Sequence, residues 1–154
     1  VGNDLVDLKA AAAESNWKRK GYLDKVFTAA EQHLINTSET PDVLVWLLWS
    51  MKEAAYKVHS RKTGIRSFAP TALACTGLEL QDRTATGTVS FDQEVYYTQT
   101  EINESYIHSV AAVSPDLLPL IKQEIYDYTP GQSNYRARNP ACVSHHGRYL
   151  ALIF

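Results

Sequence analysis

Between Thr40 and about Arg61 the residues repeat with a helical period, and this segment limits what the rest of the chain can build. Thr40 stands at the N-cap position, Pro41 at the first helical position, and Gly64 follows the end. The apolar run from Val43 to Trp49 demands burial. Directly after it come Glu53, one turn beyond Trp49, and Lys57, one turn beyond Glu53, so a carboxylate and an amine share a face with a tryptophan. On a solvated face such a pair would contribute only a few tenths of a kcal/mol. Trp46 and Trp49 argue instead that this stretch is packed.

The 154 residues, 45% hydrophobic and 21% charged, suit one globular domain spanning 1–154. A net charge of -2 offers no global field to draw the chain to nucleic acid or a membrane surface, although Lys18-Arg19-Lys20 could bind anions locally. Cys75 and Cys142 form neither a disulfide framework nor a metal knuckle, so free thiols in a reducing cytoplasm are expected. The longest apolar run, Val43 to Trp49, falls far short of the roughly 20 residues that span a bilayer.

Val1 to Leu8 reads as a strand in which Asp4 shares a face with Val6 and Leu8. A carboxylate on the apolar side needs a cation, a metal or several donors to stay charged, unless the strand end frays into water. Lys9 to Lys20 reads as an alanine-rich helix with its basic cluster at the negative end of the dipole. Thr28-Ala29-Ala30-Glu31 has capping-box spacing, which gives Glu31 a structural role, and its helix runs to about Ile35. Beyond Gly64 the period alternates. Ala72 to Leu80, Thr86 to Phe91, Val95 to Glu101 and Tyr106 to Val113 read as strands, Ser114 to about Tyr126 as a helix, Tyr128 to Pro140 as a loop, and Ala141 to Phe154 as a closing strand. That order predicts an α+β domain with helices packed on one face of a mainly antiparallel sheet.

Gly2-Asn3-Asp4-Leu5-Val6-Asp7-Leu8, Phe27-Thr28-Ala29-Ala30-Glu31 and Trp49-Ser50-Met51-Lys52-Glu53-Ala54-Ala55-Tyr56-Lys57 together resemble the signatures of the 4′-phosphopantetheinyl transferases. Val143-Ser144-His145-His146-Gly147-Arg148-Tyr149-Leu150-Ala151 is similar to the Ser-x-Ser-His-x-x-x-Tyr-x-Ala strand of those enzymes, with Cys142 in place of the first serine. The resemblance implies transfer of the 4′-phosphopantetheine arm of coenzyme A to a serine of an acyl or peptidyl carrier protein, with release of adenosine 3′,5′-bisphosphate. It implies that Asp4 and Glu53 hold Mg²⁺ against the pyrophosphate, and that Lys57 pairs with phosphate or helps deprotonate the serine. Ser144, His145 and Arg138 would hold coenzyme A phosphates, and Lys18 and Arg19 would meet the acidic carrier.

Val6 stands where the surfactin-synthetase-activating type has a further acidic ligand; the short holo-acyl-carrier-protein-synthase type, the closer resemblance, lacks that ligand too, with water expected in its place. Chain order adds an expectation about assembly. The G-x-D strand opens this chain and the Ser-His strand closes it, whereas in two-lobed members they meet between lobes. A homotrimer with His145 completing a neighbour's site is therefore expected. His108-Ser109 is a rival for the His145 role, with His108 read as a satisfied strand residue. Two other readings exist: a catalytically degenerate member that binds coenzyme A or the carrier, and an unrelated Mg²⁺ phosphohydrolase, disfavoured because no third acidic ligand stands close.

Overall fold

The structure, a computed structural model, describes residues 1–129, 131 and 134–154. From the N-terminus the chain forms β1 (Gly2–Asp7) and four helices, α1 (Leu8–Glu14), α2 (Tyr22–Val26), α3 (Ala29–Thr37) and α4 (Pro41–Thr63). Four strands follow, β2 (Ala74–Gln81), β3 (Thr84–Phe91), β4 (Glu94–Ile102) and β5 (Tyr106–Ala112). They join β1 in an antiparallel sheet of order β1-β5-β4-β3-β2. A second antiparallel sheet, of order β6-β8-β7, contains β6 (Gln123–Asp127), β7 (Cys142–His146) and β8 (Tyr149–Ile153). The α+β architecture agrees with the periodicity, and α4 lies across the first sheet with Val45, Leu48, Met51 and Ala55 fully buried.

Three expected elements are corrected. The helix predicted over Lys9–Lys20 stops at Glu14, because Asn16 turns its side chain onto the Lys18 N–H at 3.1 Å and Trp17 Nε1 donates to Asp42 at 2.6 Å, tying the chain to the start of α4. The basic cluster therefore lies in a turn, and α2, which has no counterpart in the sequence reading, follows Gly21 at φ +85°. Ser114 to Tyr126 is no helix: Pro119 lacks an N–H, the segment closes as a 3-10 turn at Pro115–Leu120, and β6 follows. Ala141 to Phe154 is a hairpin, reversed at Gly147-Arg148 with Gly147 at φ +56°. Residues 130, 132 and 133 of the expected 128–140 loop lie outside the described residues.

Glu31 has more than its capping box. Its Oε1 accepts from the Thr28 N–H at 2.8 Å and pairs with Lys52 Nζ at 2.5 Å, while Oε2 accepts from the Cys75 N–H at 2.7 Å. Lys52 also donates to the carbonyls of Val26 and Pro70, at 2.9 and 2.8 Å, and neither member of the pair is exposed. This buried pair staples α3 and α4 to the chain entering β2. Removing one partner strands a charge, whereas removing both mostly leaves a volume to fill.

Lys52→Met is expected to lower the unfolding free energy in urea melts by about 3–5 kcal/mol. Adding Glu31→Leu should recover part of that loss, and simple additivity of the two changes would contradict the staple.

Candidate functional site

β1 is an edge of its sheet, paired with β5 on one side only, and its other backbone edge needs partners. Side chains supply them. The Leu5 N–H donates to Ser144 Oγ at 2.9 Å and the Asp7 N–H to His146 Nδ1 at 2.8 Å, while Asn3 O accepts from Lys57 Nζ at 2.7 Å. Ser144 and His146 are two apart on β7 and so face the same way, which explains why a Ser-x-His pattern can seal a strand that skips a residue at each step. Asp7 closes the far end: its carboxylate caps α1 through the Lys9 and Ala10 N–H groups and accepts from Arg148 N at 2.9 Å across the hairpin turn. Burial would raise the Asp7 carboxyl, but those N–H donors and the Arg148 guanidinium outweigh it and hold it below the usual carboxylate range.

Gly2 sets how closely β1 approaches α4. A Cβ there would lie 2.6 Å from Ala54 O and 3.1 Å from Lys57 Cβ, so only glycine lets the strand rest on the helix backbone. This close approach brings Asp4 and Glu53 to one cavity of about 490 Å³, which Lys57, Ser144 and His145 also line. Asp4 is 8% exposed, and its Oδ2 is buried without a hydrogen-bond partner. Burial pushes its carboxyl up to about 7; Lys57 opposes that rise and Glu53 adds to it. Glu53, half-buried, is raised by burial as well, with Lys57 again opposing. Lys57 Nζ donates to the carbonyls of Asn3 and Val143, at 2.7 and 3.4 Å, rather than forming an ion pair with Glu53, so the bland surface pair is not what the structure contains.

Asp4, Glu53, Lys57, Ser144 and His145 thus share one cavity within one chain. The expectation that the first and last strands face apart is corrected: β7 packs beside β1 of its own chain, and His145 lines the same cavity as the carboxylates. Arg138 is not brought to this cavity. It forms a two-pronged pair with Glu124, both contacts at 2.9 Å, and lies over the Phe154 ring at 4.9 Å, outside the cavity. Lys18 and Arg19 are exposed and lie over Trp17 and Tyr22. His108 is the satisfied residue it was read to be. Its Nε2 accepts from Asn3 and its Nδ1–H donates to Gln123, both at 3.0 Å, and burial, aided by Lys57, pushes it down to about 4, so it is neutral.

Sequence reasoning missed Lys52, although Val45, Leu48, Lys52 and Ala55 share the inward stripe of α4, where a lysine signals a buried partner. It also missed His146 and Glu14, which line the cavity. Among the described residues no group of three or more His, Cys, Asp or Glu side chains is arranged to hold a metal ion. The two carboxylates nevertheless fit a hard cation that keeps its waters and shares ligand oxygens, because Asp4 Oδ2 is a buried acceptor with nothing to accept from.

Above its ordinary value of 3.8, the Asp4 carboxyl holds a proton in the folded chain that the unfolded chain has lost. Stability from this group is therefore highest at acid pH, falls as pH rises, and is fully forfeited above about 7. His108 slopes oppositely between about 4 and 6.5, since the unfolded chain binds its proton first. The difference between the wild type and Asp4→Asn isolates the carboxyl: the variant should melt higher at pH 8, by roughly 2–4 °C per kcal/mol recovered, and the gap should close towards pH 5. A constant gap would contradict the raised carboxyl.

Comparison with known proteins bears on the same residues. The family model described as the 4′-phosphopantetheinyl transferase superfamily matches residues 1–111, a stretch that holds Asp4, Glu53 and Lys57. No curated protein matches the chain. With the matched stretch covering more than half of its length, the chain belongs to the 4′-phosphopantetheinyl transferase superfamily.

Proposed function

We propose that the chain transfers the 4′-phosphopantetheine arm of coenzyme A to a serine hydroxyl of a carrier protein, with Mg²⁺, releasing adenosine 3′,5′-bisphosphate. One observation carries the reading: in a member of this superfamily, Asp4, whose Oδ2 is buried without a partner, lines one cavity with Glu53 and Lys57. Val6, apolar where a third acidic ligand would stand, favours the short holo-acyl-carrier-protein-synthase type.

Bound Mg²⁺ would neutralise pyrophosphate charge and favour departure of the bisphosphate. Asp4 and Glu53 would hold it, with water and phosphate oxygens completing its shell. Lys57 keeps its ammonium between β1 and β7, and an N–H not given to Asn3 or Val143 is available to a phosphate oxygen. Ser144 accepts from Leu5 and so retains its own O–H for donation. His145, exposed at the rim with its ring edge-on to Tyr128 at 4.2 Å, is placed to meet a coenzyme A phosphate. The chain supplies all these groups itself, so the reading requires no residue from a neighbouring subunit.

The test is to incubate the chain with Mg²⁺, coenzyme A and an apo acyl carrier protein and weigh the carrier by intact mass spectrometry. One phosphopantetheine arm is expected on the carrier, absent after chelation. Glu53→Gln should lower the rate by at least about 10²-fold while melting normally, since burial already favours the neutral form at that position. Failure of every carrier tried to gain the arm would overturn the reading.

A further inference from the structure

Glu14 is the last residue of α1 and lines the same cavity as Asp4, Glu53 and Lys57. Its carboxylate is aimed. Oε2 lies 3.1 Å from His146 Nε2, and the other His146 nitrogen, Nδ1, accepts from the Asp7 N–H at 2.8 Å. Because a backbone N–H occupies Nδ1, the ring carries its proton on Nε2 and donates it to Glu14. The imidazole is fixed at one end by β1 and presents the carboxylate at the other. Glu14 Oε1 makes no hydrogen bond among the described residues.

The transfer needs a group that takes the proton of the attacking hydroxyl, and the other titratable groups of the cavity are assigned elsewhere: His145 to a coenzyme A phosphate, while burial pushes the Tyr22 phenol up and keeps it a donor. Asp4 and Glu53 are assigned to the cation. Lys57 turns its N–H groups onto two carbonyls, which suits a donor. His146 has no free nitrogen. We propose that Glu14 receives the proton of the carrier serine, and that His146 is a positioning residue that aims it; this rests on the transfer reading above. The serine oxygen bonds to the phosphorus that bears the pantetheine arm, and the bond from that phosphorus to the bridging oxygen breaks. The electron pair leaves with adenosine 3′,5′-bisphosphate, and the serine proton passes to Glu14 Oε1 and then to solvent. Glu14 lies at an exposed helix end, 62% accessible in its side chain, where an arriving carrier can reach it.

The experiment measures kcat with a saturating carrier, and coenzyme A affinity by calorimetry, for the wild type, Glu14→Gln, His146→Gln and the double variant. Glu14→Gln should lower kcat about 10²-fold and leave coenzyme A affinity within about twofold. His146→Gln should lower kcat less, and its effect should shrink in the Glu14→Gln background to whatever the loss of the Asp7 N–H acceptor costs; a histidine acting only through β1 would keep its full effect there. A kcat for Glu14→Gln within about threefold of the wild type, or an affinity loss matching the kcat loss, would overturn the assignment while leaving the transfer reading standing. If the wild type itself transfers no arm to any carrier, both fall.

Discussion

The site depends on the wedging of β1 between α4 and β7. Every residue of this strand is buried, and a buried edge strand survives only if its outward backbone groups find partners. Ser144, His146 and Lys57 provide them from two different elements. Gly2 allows the strand to touch the helix backbone at Ala54, and the small Ala54 and Ala55 keep that face of α4 low. The same contacts that hold the strand bring Asp4 to the helix face bearing Glu53. Fold and site are therefore one arrangement, and a change that loosens β1 from α4 would separate the two carboxylates before it unfolded the chain.

Two charged systems meet α4 at adjacent residues, Lys52 and Glu53, and are treated in opposite ways. Lys52 and Glu31 are saturated: each has an ionic partner and further hydrogen bonds, so the pair is stable as a structural staple. Asp4 and Glu53 are left short of partners, repel one another, and are pushed towards their protonated forms by burial. A carboxylate kept in that condition has its stabilisation deferred to something that arrives later. Functional sites often hold such local destabilisation while the surrounding scaffold supplies the stability.

The long helix, with its cap, Pro41 and Gly64, was legible because its period and punctuation agree over many residues, and the meander from Ala74 to Ala112 because its alternation is interrupted only by polar turns. The capping box of Glu31 was legible for the same local reason. Long-range partners were not legible. Nothing adjacent to Arg138 announces that Glu124, on a strand read as a helix, will occupy it. The hairpin at Gly147 is not legible because a single glycine between His146 and Arg148 carries none of the paired turn residues, such as Asn-Gly, that announce a two-residue reversal. Chain order alone likewise does not reveal that the first and the last strands of the chain pack together.

Burial pushes the Asp4 carboxyl up to about 7, and the proposed cation role requires that it give up that proton when the metal and a pyrophosphate arrive. Isothermal titration of Mg²⁺ with coenzyme A into the chain, at about pH 6.5 in buffers of different ionisation enthalpy, reads that proton directly. Release of most of a proton per chain is predicted, and it should vanish in Asp4→Asn. Binding without proton release, or release unchanged in that variant, would contradict the claim.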